Sequence, residues 1–282
     1  MAMDWTKRDE QMLEDLQEWR QTLFEYETTD IENAYDKWME QAFSLLPDSL
    51  QIQFFEKLDG WLFHLNSLLR ESQLQTDAKE RILRTARSMN GDINTLEDLR
   101  DYLSIDQLTF LAEQQAARHR LYSFAQGGMT GSGKTLLVGS DLVAMAVINL
   151  RAVQLMAMSF GYNVQSPAGL LETLKVFHTA TMPDRLKMFG WEDLINDLQK
   201  GDEQFYYHEH ERITDSSWID EPLKHLLKAS LILKLSRKKV SGLPLASMAI
   251  GAGVNYKTTR KITDFTLKYY QYKHLLIKSG EI

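Results

Sequence analysis

Apolar residues recur at helical spacing along the first 125 positions. Met12, Leu16, Trp19 and Leu23 fall at i, i+4, i+7 and i+11, one stripe of a 3.6-residue period. The pattern predicts a second helix over 31–46, with Tyr35, Trp38, Met39 and Phe43 inward and Pro47 as its stop. A third, over 49–71, carries Phe54, Phe55, Leu58, Trp61, Leu62, Leu65 and Leu69. A fourth, over 77–89, ends at Asn90-Gly91, residue types that close helices. Thr95 can cap a short helix ending near Leu103, and Ser104 or Asp106 a longer one reaching Phe124.

The texture then changes. Residues 126–133 are small and glycine-rich, and 136–160 are apolar on every side, broken mainly by Asp141, Asn149, Arg151 and Gln154. A helix apolar all round belongs in a core or against lipid. Ser166-Pro167 has the N-cap and first-turn form of a helix running to about 180, and another is expected from 184 to 198. Residues 201–217 are polar and rich in acids and aromatics, the expected loop. A helix from about 220 closes on Arg237-Lys238-Lys239, followed by a glycine-rich link and a last helix over 255–278. No run of β-branched strands alternates with these helices. The expectation is an all-α, single multi-helix domain over 1–282: acidic amphipathic helices over 1–125, and a glycine-punctuated apolar core over 126–282.

Charge adds a polarity that the net value of −7 conceals. Residues 1–100 carry 21 acidic against 11 basic side chains, whereas 221–282 carry 12 basic against 3 acidic. Such a basic end suits an anionic surface or the acidic half of the same molecule. In the last helix Ile262, Phe265, Tyr269, Tyr272 and Leu276 form one stripe, flanked by Lys257, Lys261 and Lys268. Together with Lys238, Lys239 and Tyr270 these are the candidate membrane- or partner-facing residues. Docking of the same stripe on the helical body is the competing reading. The best candidate for membrane burial, 240–256, is short and interrupted by Gly242, Pro244, Gly251 and Gly253, so a hairpin or interface-dipping segment is expected there rather than a span. The opening MAMDWTKRDE has no apolar h-region, so no secretory signal is expected. With no cysteine in the chain, disulfides, thiolate zinc sites and cysteine nucleophiles are excluded, which fits a cytoplasmic setting.

One motif invites a specific chemistry. Gly128-Met-Thr-Gly-Ser-Gly133-Lys134-Thr135 fits G-x-x-x-x-G-K-[ST] at every position. A nucleotide-binding loop of that kind needs a buried strand leading in and a helix leading out. Residues 118–127 read instead as the end of a helix, and no second aliphatic strand ends in a magnesium-holding Asp. The motif is taken as a decoy, a tight helix crossing where glycines admit close backbone approach. His208-Glu-His210 resembles a metal pair, but i and i+2 diverge on a helix and no third histidine lies at a familiar spacing, so no metal and no cofactor are expected. No nucleic-acid module is present.

Asp141 and Arg151 are the charges most expected to be buried, with Tyr162 close by in sequence. On one helix they stand about 15 Å apart, so they cannot pair directly and each needs another partner.

The order Gly127-Gly-Met-Thr-Gly, Gly139-Ser-Asp141, Leu150-Arg151-Ala-Val-Gln154 and Phe160-Gly161-Tyr162 resembles the central signature of the EcsC family. Gly251-Ala-Gly253-Val-Asn255-Tyr256 with Tyr269-Tyr270, and Glu18-Trp19 near the start, are similar to its two ends, and the likeness extends over about 10–275. Ser140 stands where members often carry proline. The resemblance implies an accessory protein at the cytoplasmic membrane face, near an ABC exporter or other inner-membrane protein of a secretion system. It brings no catalytic residues. The alternative expectation is an enzyme built on Asp141 or Arg151, with a cleft joining either one to His178 or Tyr162.

Overall fold

A computed structural model describes residues 4–27, 73–131, 138–182, 184–205 and 244–282. These form an all-α body with no strand among the described residues. In chain order the helices are α1 (Lys7–Phe24), α2 (Gln73–Arg87), α3 (Asp98–Tyr102), α4 (Ile105–Gly131), α5 (Val138–Ser159), α6 (Pro167–Thr181), α7 (Lys187–Phe205) and α8 (Pro244–Ser279). A 3-10 turn, Asp184–Leu186, leads into α7. The helices expected over 31–46, over 49–71 and from 220 lie outside the described residues.

Local chemistry sets three of the helix starts. Thr6 caps α1 through a reciprocal box with Asp9. Ser104 does the same for α4: its backbone N–H donates to Gln107 Oε1 at 2.9 Å, and its hydroxyl accepts from the Gln107 N–H at 3.4 Å. Ser166 accepts from the Gly169 N–H at 3.1 Å to open α6, with Pro167 in the first turn.

The frame is an antiparallel pair made by α4 and α8. Thr109 faces Gln271, Arg120 faces Thr263, Ser123 faces Thr259, and Gln126 faces Asn255, so one index rises as the other falls. Small and hydroxyl residues line this seam. The Thr259 hydroxyl donates to Ser123 Oγ at 2.6 Å, and Thr263 accepts from Arg120 at 2.8 Å. A Cβ on Gly127 would overlap the Gly251 carbonyl, so glycine there is what lets the two backbones meet. Helix α5 packs on α4 and α8, α6 on α5 and α8, α7 on α6, α2 on α4 and α5, and α1 on α7 and α8. Trp191 of α7 is fully buried where α1, α7 and α8 converge, edge-on to Trp19 at 5.1 Å and to Phe265 at 5.8 Å.

Three expected boundaries are corrected. Residues 126–131 continue α4, which was expected to end near Phe124. Residues 201–205 are the end of α7 and not loop; the rest of that expected loop lies outside the described residues. The stretch from 244 to 256 is the first half of α8 and not a link. Glycine disfavours a helix by only about 1 kcal/mol per residue, and at Gly127 it admits the close approach of α4 to the Gly251 backbone. No helix among the described residues is long and apolar enough to cross a membrane.

Candidate functional site

The turn after α5 positions Tyr162. The Tyr162 N–H donates to the Ala157 carbonyl at 3.1 Å and the Gly161 N–H to that of Met158 at 3.0 Å, a Schellman closure with Gly161 at φ 79°. A Cβ on Gly161 would also sit 2.7 Å from the Leu96 carbonyl. The closure turns the Tyr162 ring into the core, with Lys273 Nζ 4.2 Å and the Arg100 guanidinium 5.2 Å from its centroid and Tyr270 at 5.5 Å. Lys273 pairs with Glu172 at 2.6 Å, and Glu172 accepts from the Tyr269 hydroxyl at 3.2 Å.

This buried polar island is chemically quiet at neutral pH. Burial, then the Glu172 charge, raises the hydroxyl pKa of all three tyrosines, so they stay neutral. Burial pushes His274 down to about 4, so its ring is uncharged. The Tyr162 and Tyr270 hydroxyls are buried without hydrogen-bond partners. Aromatic contacts among Phe160, Tyr270 and His274 close the region. It anchors α3, α6 and α8 to the end of α5.

Arg151 lies on α5, half-buried, with no ion pair and no hydrogen bond from its side chain among the described residues. Burial, then the charge of Arg81, lowers its pKa. Asp141 occupies α5 ten residues earlier, and its side chain lies outside the description. A cavity of about 280 Å³ between α6 and α7 is lined by Lys175, His178, Asp193 and Asp197 among others. Neither Arg151 nor Tyr162 lines it. Lys175 and Asp197 pair across it at 2.7 Å, and burial pushes His178 down to about 4.

The expected cationic face of the last helix is rearranged. Lys257 is exposed, but Lys261 is tied to Asp184 at 2.7 Å and Lys268 is half-buried. Tyr270, expected to face a membrane or partner, is fully buried, because α8 is enclosed by α1, α4, α5 and α6 and has little free circumference there. Lys238 and Lys239 lie outside the described residues. A surface not anticipated from sequence takes their place. On α4, Phe110, Leu121, Phe124 and Met129 are exposed, Leu121 at 65% and Phe124 at 50%. On α8, Val254 and Tyr256 are exposed beside them, and Tyr256 meets the Phe124 ring edge-on at 6.5 Å. Exposed Lys257 and Arg260 flank this apolar patch. The eleven-residue spacing of Phe110 and Leu121, three helical turns, was the readable signal.

The sequence profile of the EcsC protein family matches residues 10–275. The chain belongs to the EcsC protein family. No curated protein and no solved structure matches it. In this EcsC protein the glycine motif at 128–135 begins inside a helix: 118–131 are α-helical throughout, where a phosphate-binding loop would follow a strand. Gly133, Lys134 and Thr135 lie outside the described residues, as do His208 and His210. Among the described residues no group of three His, Asp or Glu is placed to hold a metal.

Proposed function

We propose that this EcsC protein is a non-enzymatic accessory factor that docks peripherally on the anionic cytoplasmic face of the cell membrane, alongside an ABC exporter or another inner-membrane secretion component. The observation that carries the reading is the exposed patch of Leu121, Phe124, Met129, Val254 and Tyr256 with Lys257 and Arg260 at its edge. Aromatic and aliphatic side chains of this kind insert at the lipid interface while flanking cations meet anionic headgroups. Fully burying one large apolar side chain contributes roughly 1.5–3 kcal/mol, and each cation near an anionic leaflet about 1 kcal/mol. A half-exposed handful of each gives reversible attachment.

Co-sedimentation of the purified protein with phosphatidylcholine vesicles, with and without phosphatidylglycerol, tests this. Binding is expected only to the anionic vesicles, lost in Leu121→Glu/Phe124→Glu and retained in Phe189→Glu, a change at an exposed apolar residue on α7. Protein that stays in the supernatant with anionic vesicles removes the membrane reading.

A further inference from the structure

We infer that the cleft between α6 and α7 is a binding site for a small organic ammonium ion, held on the Asp193 carboxylate beside an apolar floor. The cleft is a product of how the two helices meet. At one end Gly190 lies so close to Thr179 that an added Cβ would stand 2.6 Å from Thr179 Cγ2 and 3.0 Å from Met182 Sδ. At the other end Lys175 and Asp197 pair at 2.7 Å. Those two contacts are four residues apart on α6, about 6 Å of rise, and seven apart on α7, about 10.5 Å. The two walls are therefore unequal, and between them lies the cavity of about 280 Å³. Ligand pockets run upward from about 300 Å³, so this one suits a small molecule.

The lining selects the charge of that molecule. Its one permanent cation, Lys175, is matched by Asp197, and burial keeps the His178 ring uncharged at neutral pH. Asp193 is left over, with no ion pair or hydrogen bond from its side chain among the described residues. Asp101 on α3 is exposed and likewise unmatched, but it lines no part of this cleft; Asp193 differs by standing on the cavity wall. One uncompensated negative charge repels carboxylates and phosphates and attracts a cation. A metal ion does not fit the lining, because no group of three His, Asp or Glu among the described residues is placed to hold one. Leu194, Met182 and the bare backbone of Gly190 suit the apolar body of an organic cation, and Asn196 adds a hydrogen-bonding amide. Phe189 stands one turn before Asp193 on α7, with its side chain 66% exposed. Side chains four apart on a helix are neighbours, so an ammonium on Asp193 has an aromatic ring within reach. Asp193 and Asn196 are exposed, which leaves the cleft open to solvent. The apolar patch lies on α4 and α8 and the cleft on α6 and α7, so the ligand is a dissolved amine rather than a lipid headgroup. That choice of source rests on the membrane reading; the site itself does not.

The test uses the full chain and n-butylammonium as the probe, with binding followed by saturation-transfer NMR at constant ionic strength. Butanol and butyrate are the matched probes without the positive charge. Butylammonium is expected to bind saturably, and the other two at least about tenfold more weakly, the scale of a charge-assisted hydrogen bond. Asp193→Asn is expected to weaken butylammonium binding by a similar factor, with Asp193→Glu retaining part of it. Phe189→Leu should cost about two- to fivefold through the lost ring face. Asp101→Asn should change nothing. Because Asp193 is exposed, Asp193→Asn is expected to unfold at the wild-type temperature. No saturable binding of butylammonium, equal binding of all three probes, or equal losses in Asp101→Asn and Asp193→Asn would each overturn the site. Vesicles containing phosphatidylethanolamine then separate the sources: they are expected not to compete with butylammonium. Competition that disappears in Asp193→Asn would keep the site and assign it a headgroup, while failure to bind anionic vesicles sinks the membrane reading alone.

Discussion

Adjacent glycines in α4 should respond to alanine with opposite signs. Gly127 and Gly128 are both helical, with neither at positive φ. At Gly127 an added Cβ would overlap the Gly251 carbonyl oxygen and stand 2.8 Å from Asn255 Nδ2. The obstruction is backbone, so α4 and α8 must part locally, straining the Ser123–Thr259 bond at 2.6 Å one turn away. Overpacking of this kind costs about 1–3 kcal/mol, and the helix preference of alanine over glycine returns about 1 kcal/mol. Gly127→Ala is therefore expected to destabilise, by up to about 2 kcal/mol. At Gly128 the nearest atom to a new Cβ is the Ala252 Cβ at 3.9 Å, ordinary contact. Gly128→Ala keeps the helix gain and is expected to stabilise by about 0.5–1 kcal/mol. Gly253→Ala in α8, with nothing within 4 Å, should behave likewise. Urea unfolding at equal m-values measures all three. Equal losses at 127 and 128 would mean a glycine loop in place of a helix, and would refute the argument.

Three other outcomes are expected. Asp9 and Lys278 pair at 2.7 Å and are both almost fully buried, tying α1 to the end of α8. Asp9→Asn or Lys278→Met should each cost about 3 kcal/mol by stranding a charge, and the double variant should recover most of it in a denaturation cycle; additive losses would contradict this. Burial, and then Lys278, hold His274 at about 4 in the folded chain against about 6.5 unfolded, so the unfolded state binds the extra proton between those values. The part of the stability due to His274 should accordingly fall as pH drops from about 6.5 to 4, by up to about 3 kcal/mol, and His274→Phe should make the slope of pH-dependent unfolding shallower without removing it, because His178 titrates over the same range. Titration of ATP with magnesium should give the same absence of binding for wild type and Lys134→Ala; saturable binding lost in the variant would restore the nucleotide reading.

Periodicity made α1, α6 and the buried stripe of α8 legible, because Met12, Leu16, Ile262, Phe265 and Tyr269 repeat with the helix and Ser166-Pro167 states a start in local chemistry. The first glycine stretch was legible as a close helix crossing, which Gly127 makes against Gly251, but the stretch before 255 was read as a link because propensity is local and the packing partner of Gly251 lies more than a hundred residues away. Tyr270 was misplaced for a related reason. A basic, aromatic helix looks the same in sequence whether one flank or nearly its whole circumference is covered. Arg151 was legible as a charge needing a partner, but its neighbours Arg81 and His119 come from other helices and no spacing rule joins them. The exposed face of α4 showed only in the eleven-residue spacing of Phe110 and Leu121, because apolar residues on the other sides of the helix blur the stripe.

The docking of the α4–α8 patch on anionic membranes is tested most directly by local environment. The chain contains no cysteine, so single cysteines in place of Phe124, Tyr256 and Asp193 can each carry an environment-sensitive fluorophore. On phosphatidylglycerol vesicles the labels at 124 and 256 should brighten and shift to the blue, while the label at 193 on α7 stays aqueous. Unchanged emission at 124 and 256 with the protein bound, or a shift at 193 alone, would contradict the account.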